Sequence, residues 1–258
     1  MGHNTEKIPI SVVLVSLNEQ KNITRALNSV SWAADVVVYD SGSTDQTIKI
    51  AQELGVTVIE GKWLGFGKTK KLATEYAKYD WIFSLDCDEE VSAALQQELH
   101  EKLSVLKPEC VYKVPRLSFY LGRHIKHGGW YPDYQARVFN KKMHNWNEAV
   151  IHEKVEAQSY EKLRSDLNHY VFRNIEHHVQ TNNRYSSLQA EEMFKKGKKF
   201  SWFHFFTKPS VKFIECYLTK LGFLDAWPGY VIARSAGYSV FLKWSKLREL
   251  EQNRNEDI

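Results

Sequence analysis

The stretch Trp81-Ile82-Phe83-Ser84-Leu85-Asp86-Cys87-Asp88-Glu89-Glu90 decides the fold of this chain, because a run of buried-strand composition ends there in a tight acidic cluster. Apolar runs of this length are typical of core strands. Asp86 and Asp88 stand two positions apart, and side chains at i and i+2 of an extended chain point the same way. Both carboxylates can therefore face one point, where paired oxygens suit Mg²⁺ or Mn²⁺. An ordinary acidic turn between a strand and a helix is the alternative.

Strand patterns and helix patterns alternate four times over the first part of the chain. Strands are predicted at residues 10–15, 35–40, 56–59 and 81–85, and helices at residues 23–30, 46–54, 68–78 and 92–103. This alternation is typical of parallel strands joined by helical crossovers, which build an open α/β sheet. Further strands are predicted at residues 111–114 and 134–139, so the sheet is expected to be mixed and flanked by helices.

Local signals predict where several of these helices begin and end. Asn18 is expected to cap the first helix, and Ser43-Thr44-Asp45-Gln46 fits a capping box for the second. Gly55 is expected to stop the second helix, and Ser92 to cap the fourth. Tyr76 is expected to face inward from the third helix.

Three polar clusters follow three of the predicted strands: Ser16-Leu17-Asn18-Glu19, Asp40-Ser41-Gly42-Ser43 and Asp86-Cys87-Asp88. Ligands of open α/β sheets bind outside the carboxyl ends of the strands, so the clusters are expected to share one crevice. Such a crevice suits a nucleoside diphosphate. Asp40 could accept from a base or ribose, and Asp88, with Asp86 behind it, could hold a metal ion on the diphosphate.

Composition limits the setting in which the protein acts. The chain has 258 residues and is 43% hydrophobic, enough for one large domain with an appendage. The three cysteines form no C-x-x-C pair, which favours a reducing compartment over a disulfide scaffold or a structural zinc site. The sequence shows neither a signal-peptide pattern nor 18 consecutive apolar residues, so a cytoplasmic location is expected.

The C-terminal quarter is basic and aromatic. Residues 195–258 contain 12 Lys and Arg against 6 Asp and Glu, which accounts for all of the positive formal charge. Aromatic residues interleaved with lysines suit a helix that lies in a membrane interface. An ordinary helical subdomain is an equal alternative. Single-stranded nucleic acid is a third, although no known nucleic-acid motif accompanies the pattern. We expect a first domain at residues 1–180 and a helical C-terminal region at residues 181–258.

Three motifs occur in order and at suitable spacing: Ser11-Val12-Val13-Leu14-Val15-Ser16-Leu17-Asn18-Glu19, Val36-Val37-Val38-Tyr39-Asp40-Ser41-Gly42-Ser43-Thr44-Asp45 and Ser84-Leu85-Asp86-Cys87-Asp88-Glu89. Together they resemble the motifs of the inverting glycosyltransferases of family 2, which have a GT-A fold. The resemblance spans about residues 8–155. It implies a GT-A, Rossmann-like open mixed sheet and a nucleotide-sugar donor.

Four further motifs look like those of bacterial lipopolysaccharide core glucosyltransferases: Trp63-x-Gly65-Phe66-Gly67, Gly128-Gly129-Trp130-Tyr131-Pro132-Asp133, Arg137-Val138-Phe139 and Gly222-Phe223-Leu224-Asp225. This resemblance implies transfer of glucose from UDP-glucose, in β-1,4 linkage, to the inner-core heptose of lipopolysaccharide. The partners it implies are the UDP-sugar, the lipopolysaccharide acceptor and the anionic inner leaflet of the inner membrane, with no nucleic acid. The enzyme would be cytoplasmic and peripheral to that membrane.

The resemblance also implies roles for individual residues. The nucleotide sugar would be bound by Ser16, Asn18, Glu19, Asp40, Lys68, Lys70, Asp86 and Arg137. Asp133 would be the general base, and Asp88 and His152 would hold Mg²⁺ or Mn²⁺. Each of these roles has an alternative. Lys68 and Lys70 could lie on a solvated helix face, and Arg137 could form a structural salt bridge. Asp133 could be a capping residue, and His152 could be structural.

Other functions fit the same sequence less well. Nucleotidyltransferases that make sugar nucleotides show a Gly-rich basic loop after the first strand, where this chain has Ser16-Leu17-Asn18-Glu19. A transferase of another sugar, acting on a different lipid-linked or cell-surface glycan, is a closer alternative. A non-catalytic, membrane-peripheral interaction module on the same fold is the third, and the intact acidic residues count against it.

Overall fold

The computed structural model describes residues 7–148 and 153–256, with side chains as far as residue 253. Contacts group the chain into two compact units, each built from separate segments. Unit 1 contains the chain up to Arg116 together with Asp133–His169, and unit 2 contains Leu117–Pro132 and the chain from Tyr170 onward. The chain changes from one unit to the other after Arg116, after Pro132 and after His169. The predicted domain boundary at residue 180 stays a prediction.

The strands form a mixed sheet in the order β3-β2-β1-β4-β8-β6-β10-β5, and β7 and β9 both pair with β6. The strands are β1 (Ile8–Ser16), β2 (Ala33–Asp40), β3 (Thr57–Glu60), β4 (Trp81–Asp86), β5 (Glu89–Val91), β6 (Cys110–Tyr120), β7 (Arg123–His124), β8 (Asp133–Asn140), β9 (Ser159–Lys162) and β10 (Leu167–His169). β1 lies parallel to β2 and β4, whereas β8 lies antiparallel to β4 and β6. The expected open mixed sheet is therefore confirmed.

Seven α-helices accompany the sheet in the described part of the chain. They are α1 (Ile23–Asn28), α2 (Thr47–Glu53), α3 (Phe66–Glu75), α4 (Ala93–Lys102), α5 (Ile175–Lys195), α6 (Trp202–Ile214) and α7 (Ala226–Glu256). A π-helical turn follows α6 at Glu215–Thr219, and a 3₁₀ turn at Gly222–Asp225 leads into α7.

Alternation along β1 puts apolar side chains on both faces of the sheet. Val12 and Leu14 belong to one buried cluster, which includes α1 and α4 residues, and Val13 belongs to another, which includes Ala73 of α3. Burying a side chain of this size stabilises the fold by roughly 1.5–3 kcal/mol. The helices on both faces hold the sheet rigid beneath the polar residues at its carboxyl edge.

The helix signals were partly wrong. Ser92 does cap α4 by accepting from the Leu95 amide, and Gly55 follows α2 with a φ of +71°. Asn18, however, is not the cap of α1: it has a φ of +57°, and its Oδ1 accepts from the Thr44 amide. The predicted capping box does not form either: the Gln46 amide, which Ser43 would accept from in such a box, donates to Gln20 Oε1 at 3.2 Å, and α2 begins only at Thr47.

Tyr76 is exposed rather than inward, with 48% of its surface accessible. It stands at the end of α3, where the helix no longer determines which face covers the core. The residues that bury this helix are smaller, with Ala73 at 0% exposure and Leu72 partly covered.

The helices of unit 2 approach closely where the sequence has glycine. A Cβ on Gly229 would lie 1.9 Å from the Gly222 carbonyl oxygen, and one on Gly237 would lie 2.8 Å from the Pro209 carbonyl oxygen. Asp225, which is buried, accepts from the amides of Lys126 and His127 and so ties the 3₁₀ turn to the segment before Pro132. The Gly222-Phe223-Leu224-Asp225 motif thus has a packing role in this unit.

A buried histidine is part of the aromatic packing in unit 2. The His178 ring stacks on Phe172 with centroids 4.1 Å apart, and its Nδ1 lies 2.9 Å from the Tyr120 hydroxyl oxygen. Burial lowers the pKa of His178 to about 4, since the charged ring cannot be solvated there, and the nearby His177 adds to the effect.

We therefore expect acid to destabilise the fold through His178. The unfolded chain takes up a proton near the ordinary pKa of 6.5, whereas the folded chain does so only near 4. Lowering the pH from about 7 to about 4.5 should lower the free energy of unfolding by roughly 2 kcal/mol through this group. Denaturant unfolding of His178→Phe should show a smaller loss over that range. The exposed His100→Gln is the control, and equal losses in all three proteins would contradict the assignment.

Candidate active site

The first two polar clusters interlock at the carboxyl edge of the sheet. Asp40 is fully buried: its Oδ2 accepts from the hydroxyls of Ser16 (2.7 Å) and Ser43 (2.6 Å), and its Oδ1 accepts from the amides of Gly42 and Ser43. The Asn18 amide donates to Ser43 Oγ, and the Glu19 amide donates to Thr47 Oγ1. These bonds fix the turn after β2, and the predicted contacts of Ser16, Asn18, Glu19 and Asp40 with uridine stay predictions.

The third cluster lies beside the first, as expected. β1 pairs with β2 at Ser16 and Asp40, and with β4 at Val15 and Asp86. The Cys87 thiol donates to the Val15 carbonyl at 3.4 Å. All three clusters therefore meet at one edge of the sheet, because parallel strands end together there.

Asp86 lies between two cations. Lys70 Nζ is 3.0 Å from its Oδ1, and Arg137 Nη2 donates to its Oδ2. Burial disfavours the charged carboxylate, but Arg137 and Lys70 outweigh it and hold the pKa of Asp86 well below its usual range. Asp86 is thus an anion whose charge the protein already balances.

A chain of ion pairs continues from Asp86 to Asp133. Arg137 Nη2 also donates to Glu89 at 2.5 Å, and Arg116 Nη1 lies 3.5 Å from the same Glu89 oxygen. Arg116 then donates to Asp133 Oδ2 from Nε at 2.9 Å and from Nη2 at 2.5 Å. We call these six residues the ion-pair chain; in order they are Lys70, Asp86, Arg137, Glu89, Arg116 and Asp133.

Glu89 is the centre of the ion-pair chain. Its side chain is fully buried, and its second oxygen accepts from the Asp86 amide at 3.0 Å. Burial raises the pKa of Glu89, against the opposing pull of Arg137. Glu89 therefore positions both arginines and also the backbone of the acidic motif.

Asp133 is the accessible end of the ion-pair chain. Its side chain is 39% exposed, and Gln135 Nε2 donates to its Oδ1 at 2.7 Å. Arg116 and Gln135 hold one oxygen each, which fixes the orientation of the carboxylate. The two roles considered for Asp133, general base and capping residue, both stay predictions.

The two candidate lysines of α3 have different surroundings. Lys70 is largely buried, contacts Asp86 and Glu153 at 3.0 and 3.1 Å, and stands 4.7 Å over the Trp146 ring. Lys68 is half-exposed, with its Nζ 3.8 Å from Glu148. Positions two apart on a helix point away from each other, so one turns inward and the other to solvent. The phosphate contact stays a prediction for both.

The predicted metal ligand Asp88 stands beside a histidine. Its Oδ2 lies 3.4 Å from His169 Nε2. Over residues 7–148 and 153–256, no group of three or more His, Cys, Asp or Glu forms a complete cage. One carboxylate and one imidazole nevertheless fit Mg²⁺ or Mn²⁺, because these ions usually take one or two protein ligands plus phosphate and water. His152, the other predicted ligand, lies outside the described residues.

A cavity of about 460 Å³ opens beside the ion-pair chain in unit 1. Its wall includes Lys70, Asp86, Arg116 and Arg137 of the chain. Aromatic and charged side chains complete it, namely Lys113, Tyr134, Trp146, Glu153, Lys154 and Tyr160. Cations, carboxylates and aromatic rings around one cavity suit a ligand with both phosphates and sugar rings.

The sequence analysis missed Glu89, Arg116, Glu153 and His169. Glu89 directly follows the D-x-D pair, so its proximity was available as a signal, although its burial was not. Arg116 reaches Asp133 because β6 and β8 pair these two residues across the sheet. His169 lies opposite Glu89 in the β10–β5 pair. No local pattern in the sequence specifies these cross-strand registers.

We expect Arg137→Met to destabilise the protein by roughly 3–5 kcal/mol near neutral pH, because it leaves the fully buried Glu89 and the partly exposed Asp86 without their shared cation. Lys142→Met is the control. It removes an exposed pair with Asp80 and should change stability by at most about 1 kcal/mol.

The loss of unfolding free energy in Arg137→Met, relative to the wild type, should become smaller at acidic pH. The lowered pKa of Asp86 contributes stability above its ordinary pKa of 3.8, and this contribution is lost as pH falls. Urea unfolding over a pH series measures both effects. Equal losses in the two variants would show that the buried pairs do not organise this site.

Comparison with known proteins shows which protein family this chain resembles. The sequence model described as glycosyl transferase family 2 matches residues 11–194. An uncharacterised glycosyltransferase of Rickettsia typhi is 31% identical over 254 residues, which cover 93% of this chain and 87% of that protein. The lipopolysaccharide core biosynthesis glycosyltransferase LpsC of Rhizobium meliloti is 24% identical over 247 residues, covering 88% and 90%.

Solved structures align less closely. Residues 1–349 of TarS from S. aureus are 14% identical, with a TM-score of 0.46 over 97% of this chain and 92% of that one. Glucosyl-3-phosphoglycerate synthase of Mycobacterium tuberculosis, solved with Mn²⁺, UDP and glucosyl-3-phosphoglycerate, is 26% identical, with a TM-score of 0.34 over 44% of each chain. The family match covers most of the chain, including every element that builds the site, and this chain belongs to glycosyl transferase family 2.

Proposed function

We propose that this glycosyltransferase is a metal-dependent inverting enzyme that transfers a hexose to the inner-core heptose of lipopolysaccharide. The proposed donor is UDP-glucose, and the proposed product carries the transferred glucose in β-1,4 linkage. The similarity to LpsC, whose name assigns it to lipopolysaccharide core biosynthesis, supports this acceptor. The proposed location is cytoplasmic and peripheral to the inner membrane, where a lipid-linked acceptor is accessible.

The observation that carries the proposal is the oriented, accessible carboxylate of Asp133. Arg116 keeps one oxygen in place and Gln135 the other, while 39% of the side chain stays accessible. A general base needs this combination of fixed direction and access to its substrate. Asp133 would accept the proton of the acceptor hydroxyl as that hydroxyl attacks the anomeric carbon.

The donor would occupy the opposite end of the ion-pair chain. Lys70 and Arg137 contribute positive charge around Asp86, and the cavity beside them has space for a sugar diphosphate. Attack on the face opposite the diphosphate inverts the anomeric configuration, so an α-linked donor gives a β-linked product. The ion-pair chain would keep the two reacting groups at a fixed separation.

Asp88 and His169 would hold the divalent ion together with the diphosphate. When bound, such an ion stabilises the negative charge that builds on the departing nucleotide. The assignment of Asp88 follows the D-x-D pattern, and His169 enters because its Nε2 is 3.4 Å from the Asp88 carboxylate.

The two alternatives concern the substrate and the activity. Transfer of another sugar to a different lipid-linked or cell-surface glycan would use the same residues, because the roles proposed for them concern the diphosphate, the metal ion and the attacking hydroxyl rather than the identity of the sugar. A non-catalytic interaction module would retain the fold without need for an accessible Asp133. Donor preference and turnover separate these possibilities.

Donor binding should depend on the metal ion and on Asp88. We expect calorimetry to show UDP-glucose binding with Mn²⁺ that EDTA weakens, and Asp88→Ala to weaken it roughly tenfold or more. UDP-galactose, titrated in parallel, ranks the donors. His169→Gln should reduce the part of the UDP-glucose affinity that depends on the metal ion. Asp80→Ala, at a partly exposed position, should bind UDP-glucose as the wild type does. Absence of binding for both donors, with and without metal, would refute the proposed donor site.

Asp133→Asn should separate chemistry from binding. The amide keeps the shape of the side chain but cannot take a proton, so we expect kcat for transfer to inner-core oligosaccharide to fall by roughly 10²–10⁴. Calorimetric affinity for UDP-glucose should stay within a factor of about three, because Asp133 lies beyond the proposed donor site. A kcat close to that of the wild type would exclude Asp133 as the base.

A further inference from the structure

Unit 2 has a concentration of exposed apolar side chains that the catalytic proposal does not explain. Of the 26 large apolar side chains exposed in the described chain, 13 lie between residues 202 and 241. Soluble proteins rarely leave large contiguous apolar areas in water, and such areas mark contact surfaces. The most exposed are Phe203 at 71% and Phe206 at 67%.

These side chains form one face of α6 and of the turn that follows it. Phe203, Phe206, Val211 and Ile214 are exposed at spacings that place them along one side of α6, and the exposed Trp202 and Leu218 flank them along the chain. The opposite side packs on α7, where the Phe205 and Phe241 rings lie 5.2 Å apart. The helix is therefore held in place by its inner side, with its apolar outer side directed to solvent.

Lysines accompany this apolar face, and Glu215 of the turn after α6 pairs with one of them, Lys212, at 3.0 Å. Residues 195–214 contain six lysines and no Asp or Glu. Four lysines from three segments interact through their charges: Lys198 before α6, Lys208 and Lys212 on α6, and Lys243 on α7. Partial burial lowers the pKa of Lys243, and the other three lysines lower it further. Within residues 7–148 and 153–253, no acidic side chain pairs with Lys243. A bound anion would relieve this repulsion.

We propose that this surface of unit 2 docks on an anionic lipid bilayer, with the apolar face of α6 in the membrane interface and Lys198, Lys208 and Lys243 on lipid phosphates. Apolar side chains beside a cluster of lysines fit such a bilayer in both chemistry and charge. A second protein copy would present the same lysines to each other, which disfavours it as the occupant. No described helix has the length and apolarity that crossing a bilayer demands. The inference deepens the proposed peripheral location, on which it rests, and adds the surface and the lipid charge.

Vesicle sedimentation tests the proposal with the full chain. We expect binding to phosphatidylcholine vesicles that contain phosphatidylglycerol, much weaker binding to phosphatidylcholine alone, and weakening by salt. Phe203→Ser with Phe206→Ser should reduce binding at least tenfold. Tyr185→Ser with Leu188→Ser, an equally spaced exposed pair on α5, is the matched control and should bind as the wild type does.

A second set of variants tests the lysines. Lys198→Gln, Lys208→Gln and Lys243→Gln combined should lower affinity for anionic vesicles on the order of a hundredfold, since each lysine near an anionic surface contributes about fivefold. Lys21→Gln, Lys49→Gln and Lys142→Gln remove the same charge from exposed positions of unit 1 and should have a small effect. Equal losses in the two triple variants would refute a specific lysine cluster.

Other outcomes overturn the docking surface as a whole. Absence of binding to either vesicle would do so, as would a wild-type dimer in solution that Phe203→Ser with Phe206→Ser converts to a monomer. Calorimetric binding of UDP-glucose to the same variants keeps this result separate from the catalytic proposal. A surface variant that no longer binds vesicles but still binds UDP-glucose supports membrane docking by this surface. A wild-type protein that binds vesicles but not UDP-glucose supports membrane docking and refutes the proposed donor site.

Discussion

The site depends on one buried guanidinium. Arg137 lies on β8, almost wholly covered, and donates to both Asp86 and Glu89. Burial of an arginine is unfavourable unless carboxylates surround it. Here the carboxylates are those of Asp86, at the end of β4, and Glu89, at the start of β5, which flank the acidic turn. The flanking charges raise the pKa of Arg137 even though burial opposes its ionisation. This one cation joins the two carboxylates that flank the acidic turn, and it links the Lys70 end of the ion-pair chain to the Asp133 end.

The sheet topology explains how the rest of the site assembles around that interaction. Parallel β1, β2 and β4 end at one edge and bring the nucleotide-type motifs together. Antiparallel β8 and β6 then return toward the same region and contribute Arg137, Asp133 and Arg116. A purely parallel sheet would supply the first set alone. The mixed sheet of this chain therefore joins the three motifs at the parallel edge to Arg137, Asp133 and Arg116 from the antiparallel strands.

The sequence predicted the longer strands of the sheet, the helices α1 to α4 and the meeting of the three motifs, because hydrophobic periodicity and strand ends are local properties, but it missed the short strands β5, β7, β9 and β10. It did not predict which charges pair. Arg116 and Glu89 are 27 residues apart, and Arg137 and Glu89 are 48 apart, so cross-strand register decides their contact. The Asn18 error has the same origin: its side chain was expected to cap its own helix but bonds to Thr44 of the neighbouring loop. Local capping rules do not include a competing partner from another strand end.

The alternating charges of the ion-pair chain have a consequence for ligand entry. Its three cations, Lys70, Arg116 and Arg137, balance its three carboxylates, Asp86, Glu89 and Asp133. In a partly buried region an uncompensated charge is unfavourable, so a diphosphate alone or a divalent ion alone would disturb this balance. The two together carry almost no net charge. For the proposed metal ion and nucleotide, this balance would favour binding of the two as a pair, and each would strengthen the affinity for the other.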